Sequence, residues 1–193
     1  MEIELLERQS SELRKDIVEV CYHSKAGHVG GSLSAIDILN VLYFNELRID
    51  PNNPKMENRD RFILSKGHIA EALYVTLAKR GFFAYSELDN FSGYNTKYIG
   101  HPNNKVAGVE MNTGALGHGL AIGVGLAIAA KKMGQDYRTY VLMGDGELAE
   151  GSIWESAMAA GHYKLDNLCA IVDRNHLQIS GCTETVMTLE DLK

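Results

Sequence analysis

Residues 139–151 read TYVLMGDGELAEG, an apolar run that ends at an acid between two glycines. The run Thr139–Met143 predicts a buried strand, and the segment from Ser152 to Ala160 predicts a helix after it. Asp145 therefore lies where a strand gives way to a helix. In an open parallel sheet this is the edge at which ligands bind, because the following helices direct their N-termini outward there. The stretch indicates an α/β fold with its functional site at this corner.

Glycines on both sides of the acid suggest what the corner binds. Gly144 and Gly146 let the backbone turn tightly and approach a ligand, while unpaired amides and the helix dipole favour a phosphate. A bare Asp145 would repel that phosphate. The conflict disappears if a divalent cation lies between them, since Mg²⁺ is typically held by one or two carboxylates and substrate phosphates. The corner therefore predicts a metal-bridged phosphate group.

A second polar residue supports a metal site. Asn175 lies thirty positions after Asp145 and follows the run CAIVDR, which predicts the next strand. If the two strands are neighbours ~4.8 Å apart, both side chains can converge on one ion. The amide oxygen adds a ligand without a second negative charge, and the backbone carbonyl of Leu177 could be a third ligand. Either residue alone is more typical of an ordinary turn or strand end than of a metal site, but the pair at this spacing favours the metal site.

The rest of the chain alternates helices with strands. Beyond the corner, the pattern predicts an opening helix, a helix capped by Ser32, helices over 69–79 and from Gly114 to about Met133, strands at 61–65 and 168–172, and a last helix starting at Thr188. This order favours a parallel sheet flanked by helices on both faces, within a single domain of residues 1–193. Only about three strands can be counted, so we expect either a truncated domain or a subunit that another chain completes.

Composition excludes several classes of function. Nineteen Lys and Arg against 25 Asp and Glu give a net charge of −6, so nucleic acid is not an expected partner. The acidic N-terminus is unlike a signal peptide, and the apolar run 115–130 is shorter than the ~18 to 20 residues that a bilayer requires. Cys21, Cys169 and Cys182 lack paired-ligand spacing and fit reduced thiols. We expect a cytoplasmic protein that binds neither nucleic acid nor membrane.

The stretch from Gly144 to Asn175 resembles the thiamine-diphosphate motif of thiamine-dependent enzymes. Its interior, Glu150-Gly151 with Glu155, is similar to transketolase in particular. Four further stretches agree with that family in order and spacing: GHVGGSLSAIDIL from Gly27, RFILSKGHIAEALY from Arg61, GHPN from Gly100 and NTGALGHGLAIGVGLAIA from Asn112. The resemblance covers nearly the whole chain.

The resemblance implies a role for each matching residue near the cofactor. His68 would contact the diphosphate, Gly114 and Leu116 would lie near the aminopyrimidine, and Gly146 would donate its amide to the diphosphate. The family's ligands of Mg²⁺ or Ca²⁺ correspond to Asp145, Asn175 and the Leu177 carbonyl. Thiamine diphosphate supplies the carbanion chemistry in such enzymes, and the protein supplies placement and electrostatics.

Other roles implied by the resemblance concern substrate and subunit contacts. His28 and His101 would face the hydroxyls and carbonyl of the substrate as proton donors or acceptors, a role that suits imidazoles near neutral pH. Glu150 and Glu155 resemble glutamates near the subunit contact of the family. For His118, where relatives often carry Gln, we expect local hydrogen bonding rather than catalysis.

Parts of the family pattern are absent from this chain. Val29 follows His28 where many relatives have proline, which alters loop stiffness more than chemistry. No residue corresponds to the glutamate that activates the cofactor, which the family places in a second, pyrimidine-binding domain. The resemblance therefore implies the N-terminal component of a split transketolase, active in a homo- or hetero-oligomer with a C-terminal subunit. It would transfer a two-carbon ketol unit between sugar phosphates and be inactive alone.

Three alternative functions match the sequence less well than a transketolase component does. A 1-deoxyxylulose-5-phosphate synthase usually carries a serine-threonine stretch where this chain has TGALGHG, and it lacks the Glu-Gly run after GDG. A non-catalytic scaffold or regulatory subunit could retain the fold, although the intact Asp145 and Asn175 argue against decay of the site. A P-loop nucleotide enzyme is a poor match, because SKGH reverses the required order and has no metal-binding hydroxyl after the lysine.

Overall fold

The computed structural model describes residues 2–179 and 181–192. The α-helices of this part are α1 (Ile3–Ser24), α2 (Val29–Val41), α3 (Ala70–Arg80), α4 (Gly119–Met133), α5 (Gly151–His162) and the short α6 (Thr183–Val186). A π-helical turn covers Leu42–Glu46, and 3-10 turns cover Gly67–Ile69, Tyr85–Asn90 and Gly146–Ala149. The strands are β1 (Arg61–Leu64), β2 (Thr139–Gly144), β3 (Leu168–Asp173), β4 (Leu177–Gln178) and β5 (Gly181–Cys182). The expected α/β fold is confirmed.

The chain divides into two compact units. The helical unit comprises Met1–Asp60 and Gly67–Asn112, and the sheet unit comprises Arg61–Lys66 and Thr113–Lys193. In the helical unit, α1, α2 and α3 pack against one another. Apolar side chains at helical spacing form its core, including the fully buried Leu13, Ile17, Ile36, Leu39, Val75 and Leu77.

The sheet unit is built on three parallel strands in the order β1-β2-β3. Leu64 lies opposite Leu142, and Gly144 lies opposite Asp173. Side chains on both faces of β2 are buried, since neighbouring residues along the strand point to opposite faces. Helix α4 packs on one face, where a side chain at Gly123 would collide with Val141. The strand order fixes where the polar residues after β2 and β3 meet.

Helix α2 begins four residues earlier than predicted, since its N-cap is His28 rather than Ser32. Its first residue is Val29, and Ser32 lies inside the helix rather than at its cap. The reason is Glu71 on α3, whose Oε1 accepts hydrogen bonds from the His28 amide at 2.6 Å and the Ser32 hydroxyl at 2.7 Å. A carboxylate distant in the sequence therefore accepts the hydrogen bonds of donors at the N-terminus of α2, which a local capping pattern cannot anticipate.

Helix α4 begins five residues later than predicted. The segment from Gly114 to His118 is a loop, in which Gly114 has a φ of 145° and Gly117 a φ of 86°. Neither value is compatible with a right-handed helix, and glycine is the residue that adopts them without strain. The glycines that were assigned to a buried helix instead form a turn before it.

The last predicted helix, from Thr188, is wrong. The short helix of this region is α6, and residues 187–192 are not helical. Leu189 packs against the core of the sheet unit, and the Glu190 carboxylate accepts a hydrogen bond from Arg174 at 3.0 Å. These tertiary contacts outweigh the weak helix preference of so short a segment. The hairpin of β4 and β5 was also not predicted.

The apolar run 115–130 contributes to the core. Val124 and Ala127 of α4 form a cluster with Leu165. Across the described residues, we find no helix with the length and apolar character needed to span a bilayer.

Candidate functional site

The corner after β2 lies beside the end of β3. Because Gly144 pairs with Asp173, the next residues along the two strands, Asp145 and Arg174, leave the same edge of the sheet, with Asn175 one position further. The prediction that these two strands are parallel neighbours is confirmed. Asp145 and Asn175 are therefore brought to one edge, as convergence on a ligand would require.

The Asp145 carboxylate is 1 % exposed and accepts hydrogen bonds from three donors. Its Oδ1 accepts from the Gly146 amide at 2.8 Å, and its Oδ2 accepts from the His176 amide at 2.7 Å. The same Oδ2 accepts from Arg174 Nη1 at 2.9 Å. A guanidinium cation therefore lies against the oxygen that was expected to bind a metal ion. Sequence reasoning missed Arg174, although it lies between Asp173 and the expected ligand Asn175 in the DRN stretch.

The expected ligand Asn175 also has a partner within the chain. Asn175 Oδ1 accepts from the Leu177 amide at 2.9 Å. Among the described residues, no three His, Cys, Asp or Glu side chains form a metal-binding group, and the expected set includes only one such residue, Asp145. The position of each expected ligand is thus defined, and their joint binding of an ion stays a prediction.

The chemistry of the corner nevertheless fits a hard cation. Carboxylate, amide and backbone oxygens are the donors that Mg²⁺ and Ca²⁺ prefer, and Asp145 already faces a cation in Arg174. Beside it, Gln178 packs against Gly146, where an added Cβ would lie 2.9 Å from Gln178 Cγ. Gln178 Oε1 is buried and has no hydrogen-bond partner within the described structure. An unpaired oxygen next to the corner is available to a ligand or to its water.

A buried ion pair supports the corner from the end of β1. Lys66 Nζ lies 2.6 Å from Asp173 Oδ2, and the two side chains are 1 % and 7 % exposed. Lys66 follows β1 and Asp173 ends β3, so the pair links both outer strands across β2. Sequence reasoning did not select either residue. A lysine directly after a buried strand was the available signal.

Glu147 is a second buried carboxylate at this edge, with 2 % of its surface exposed. Its Oε1 accepts from the Ser65 hydroxyl and, at 2.8 Å, from the Gly117 amide. Its Oε2 accepts from the Gly144 amide at 3.1 Å. Sequence reasoning also missed Glu147, although it adjoins the GDG triplet.

The loop of residues 114–118 is fixed by several polar contacts. Besides Glu147, the Ser152 hydroxyl donates to the Gly117 carbonyl at 2.8 Å. A Cβ at Gly117 would lie 2.7 Å from Glu150 Cβ, so the close approach requires glycine. His118 Nδ1 lies 3.1 Å from the Leu116 carbonyl oxygen, the kind of local bond that we expected for this histidine.

In the helical unit, two of the expected histidines contact each other. The rings of His28 and His68 lie edge to face with centroids 5.3 Å apart. Gly31 lies beside His68, and a Cβ there would be in ordinary contact with His68 Nε2 at 3.6 Å but tight against Ile69 Cγ2 at 3.0 Å. His28 is exposed and His68 half-buried, so both rings are accessible in part.

His101 is positioned through its backbone. Its carbonyl accepts a hydrogen bond of 2.8 Å from the hydroxyl of Tyr74, a fully buried residue of α3. Burial raises the pKa of Tyr74 far above its ordinary value, so this hydroxyl keeps its proton and remains a donor. The His101 side chain itself is exposed.

The two glutamates expected near a subunit contact are both exposed. Glu150 precedes α5, and Glu155 lies on its first turns. The same helix exposes half of Trp154 and most of Met158. Their contact with a partner stays a prediction.

Comparison with known proteins gives consistent matches. Residues 7–193 match the family model described as transketolase, thiamine diphosphate binding domain. The chain is 56 % identical over 193 residues to one of the subunits of the apulose-4-phosphate transketolase of Phocaeicola vulgatus, covering 69 % of that protein. It is 42 % identical over 189 residues to the SqwG subunit of the 6-deoxy-6-sulfo-D-fructose transketolase of a Clostridium species, again covering 69 %.

A solved structure agrees in fold. The transketolase of Campylobacter jejuni superposes with a TM-score of 0.93 at 37 % identity. The match covers 98 % of this chain and 31 % of that one. The similarity is thus confined to one part of a longer enzyme.

Proposed function

The chain belongs to the transketolase family, as its thiamine-diphosphate-binding domain, and from that we propose that it is the N-terminal component of a split transketolase. As a single diphosphate-binding domain, residues 1–193 would act in the cytoplasm with a separate pyrimidine-binding subunit, in a homo- or hetero-oligomer. Relatives that are named as individual subunits of transketolases support the need for a partner.

One observation carries the proposal. The pairing of Gly144 with Asp173 brings Asp145 and Asn175 to the same edge of the sheet. A carboxylate and an amide on neighbouring parallel strands supply oxygen ligands without excess negative charge, which suits a cation that also binds a diphosphate. In the proposal, Asp145, Asn175 and the Leu177 carbonyl hold Mg²⁺ or Ca²⁺.

The proposed cofactor-binding residues are those that the family resemblance implies. Gly144 leaves room for the diphosphate and Gly146 donates its amide, in exchange for its present bond to Asp145. His68 also contacts the diphosphate, and Gly114 and Leu116 lie near the aminopyrimidine. When bound, thiamine diphosphate supplies the electron sink that the cleavage of a ketose requires. The exposed Glu150 and Glu155 would contact the other subunit.

The proposed catalytic residues are His28 and His101. Breaking the bond between C2 and C3 of a ketose releases the proton of the C3 hydroxyl as that carbon becomes an aldehyde. Adding the two-carbon unit to an acceptor aldehyde returns a proton to the carbonyl oxygen. Imidazoles can perform both transfers near neutral pH, and the exposed His28 ring is accessible for them.

The substrate is proposed at the level of a class. We assign a ketose phosphate as donor and an aldose phosphate as acceptor. The names of two relatives refer to different ketoses, one a phosphate and one a sulfonate. A panel of donors that vary at the anionic end would identify the preferred sugar.

Reconstitution tests the proposal. The chain would be mixed with a candidate pyrimidine-binding subunit encoded beside it, and two-carbon transfer from ketose phosphates to aldose phosphates would be assayed with thiamine diphosphate and Mg²⁺. We expect transfer by the mixture and none by either chain alone. His28→Ala should lower kcat about a hundredfold or more, whereas His23→Ala, on the exposed surface of α1, should not.

Three results would contradict the proposal. Transfer by the isolated chain would exclude the need for a partner. A mixture that binds the cofactor without metal dependence, or does not bind it, would favour a scaffold or regulatory subunit. Consumption of pyruvate with release of carbon dioxide would instead indicate the synthase alternative.

A further inference from the structure

Glu147 joins two glycine-containing segments of the sheet unit. One oxygen of its carboxylate accepts from the Gly117 amide and the other from the Gly144 amide. The third donor, the Ser65 hydroxyl, shares the oxygen that binds Gly117. The carboxylate is buried, and all three of these donors are neutral.

The bonding pattern requires two acceptor atoms. Backbone N–H groups cannot accept a hydrogen bond, so each carboxylate oxygen that faces one must be an acceptor. A carboxylate meets this condition, whereas the amide of glutamine would direct an NH₂ group at one of the two backbone amides. Leaving a buried donor without its partner costs more than the average hydrogen bond contributes.

The segments that Glu147 joins are those proposed to contact the cofactor. Gly144 begins the corner of residues 144–146, and Gly117 lies in the loop of residues 114–118 that contains Gly114 and Leu116. The positive φ values of Gly114 and Gly117 give this loop no regular structure of its own. A glycine-rich loop samples many conformations when it is unrestrained, so its conformational entropy is high. The hydrogen bonds to Glu147 restrict this loop to one conformation.

We infer that Glu147 is a positioning residue that fixes the distance between the 114–118 loop and the 144–146 corner, so that the two ends of thiamine diphosphate meet preformed contacts. The inference rests on the proposed function for the cofactor contacts. The hydrogen bonds from the Gly117 and Gly144 amides to Glu147 lie within this chain, so their effect on amide exchange can be measured without an activity assay. The inference assigns a role to a carboxylate that binds neither metal nor substrate.

The first experiment compares amide protection in Glu147→Gln with the wild-type chain labelled with ¹⁵N-glycine. We expect the amide of Gly117, Gly144 or both to exchange at least about tenfold faster in the variant. Tyr137→Phe is the matched control, since it removes one buried hydrogen bond, from Tyr137 to the Leu126 carbonyl, elsewhere in the same unit. Both glycine amides should remain protected in that control.

The second experiment measures thiamine diphosphate affinity in the presence of Mg²⁺ and the partner subunit. Glu147→Gln should bind about tenfold more weakly, while Tyr137→Phe binds as the wild type does. This control separates positioning from a general loss of stability. Ser65→Ala, which keeps both amide bonds, should lose less affinity than Glu147→Gln.

Each outcome decides a different question. A folded Glu147→Gln variant with unchanged protection of both amides, or with wild-type affinity, would overturn the inference. If that variant does not fold, Glu147→Asp serves instead, because its shorter side chain keeps two acceptors but cannot reach both amides; unchanged protection there would equally overturn it. A wild-type complex that binds no thiamine diphosphate would contradict the proposed function, while amide protection still decides whether Glu147 holds the two segments together.

Discussion

Arg174 donates a hydrogen bond of 2.9 Å to the carboxylate of Asp145, the residue at the centre of the proposed metal site. The same guanidinium also binds Glu184 at 2.7 Å and Glu190 at 3.0 Å. A metal ion that binds Asp145 therefore competes with an existing cation. Because Glu184 and Glu190 would continue to hold Arg174, displacement from Asp145 need not leave the guanidinium without partners.

Replacing Arg174 with methionine should strengthen the binding of Mg²⁺ to the chain. The variant removes both the competing donor and a nearby positive charge, so we expect an affinity roughly threefold higher or more. Thermal unfolding as a function of Mg²⁺ concentration measures it, since a ligand that binds the folded state raises the midpoint. Arg59→Met is the control, because the Arg59 side chain is similarly exposed and also pairs with a carboxylate, that of Glu110, in the helical unit. Equal or weaker Mg²⁺ binding by Arg174→Met would contradict the competition.

Replacing Lys66 with methionine should destabilise the sheet unit. The substitution removes the ammonium that lies 2.6 Å from Asp173 and leaves a buried carboxylate without this partner. We expect a loss of about 3 kcal/mol in the free energy of unfolding. Lys131→Met, whose partner Asp166 is 86 % exposed, should lose much less. Urea denaturation followed by the fluorescence of Trp154, the only tryptophan of the sequence, provides the measurement; equal losses would refute this account of the pair.

Glu71 should tolerate glutamine but not alanine. Among the described residues, its Oε1 accepts hydrogen bonds from the His28 amide and the Ser32 hydroxyl and its Oε2 accepts none, and a glutamine oxygen can accept both of these bonds. Alanine leaves the start of α2 without these acceptors, which should cost about 2 kcal/mol of unfolding free energy, whereas glutamine keeps the acceptor and should cost less. Thermal denaturation of both variants tests the difference. Equal destabilisation would mean that the negative charge, rather than the acceptor, is required.

The thiols of Cys21 and Cys182 should differ in reactivity. Burial, and secondarily the charge of Glu71, raises the pKa of Cys21 to about 11, so its thiol stays protonated at neutral pH. Cys182 is exposed. Because the thiolate is the nucleophile, iodoacetamide at pH 8 should label Cys182 well before Cys21, as mass spectrometry of peptides would show. Since the folded state holds the Cys21 proton more tightly than the unfolded state, this group should also reduce stability as pH rises from about 9 to 11. Rapid labelling of Cys21 at pH 8 would disprove the assignment.

The sequence predicted the parallel sheet and the edge at which the site lies. Strand periodicity, glycine positions and the spacing of Asp145 and Asn175 depend on local pattern and on general rules of α/β topology. The pairing of β2 with β3 confirms that these two strands are parallel neighbours, while the role of the residues that follow them stays a prediction. The boundaries of α2 and α4 were less accurate. They depend on a carboxylate 43 residues from His28 and on glycine dihedral angles, neither of which a local pattern contains.

Sequence reasoning missed the residues that support the site. Glu147, Lys66 and Asp173 are charged side chains with distant partners, and a single sequence does not reveal which charges will be buried together. Arg174 was missed for the same reason. Ser65 and Glu147 are 82 positions apart in the sequence, and Lys66 and Asp173 are 107 positions apart. Only the folded chain therefore identifies these pairs.

Titration of thiamine diphosphate tests the central proposal most directly. The chain, with its partner subunit, would be titrated with the cofactor in the presence of Mg²⁺ and again after chelation of divalent metal. We expect saturable binding that metal removal abolishes, and a loss of at least about tenfold in affinity for Asp145→Asn. Asp166→Asn, the same exchange at an exposed carboxylate, should bind normally. Cofactor binding that is indifferent both to metal and to Asp145→Asn would contradict the proposed site.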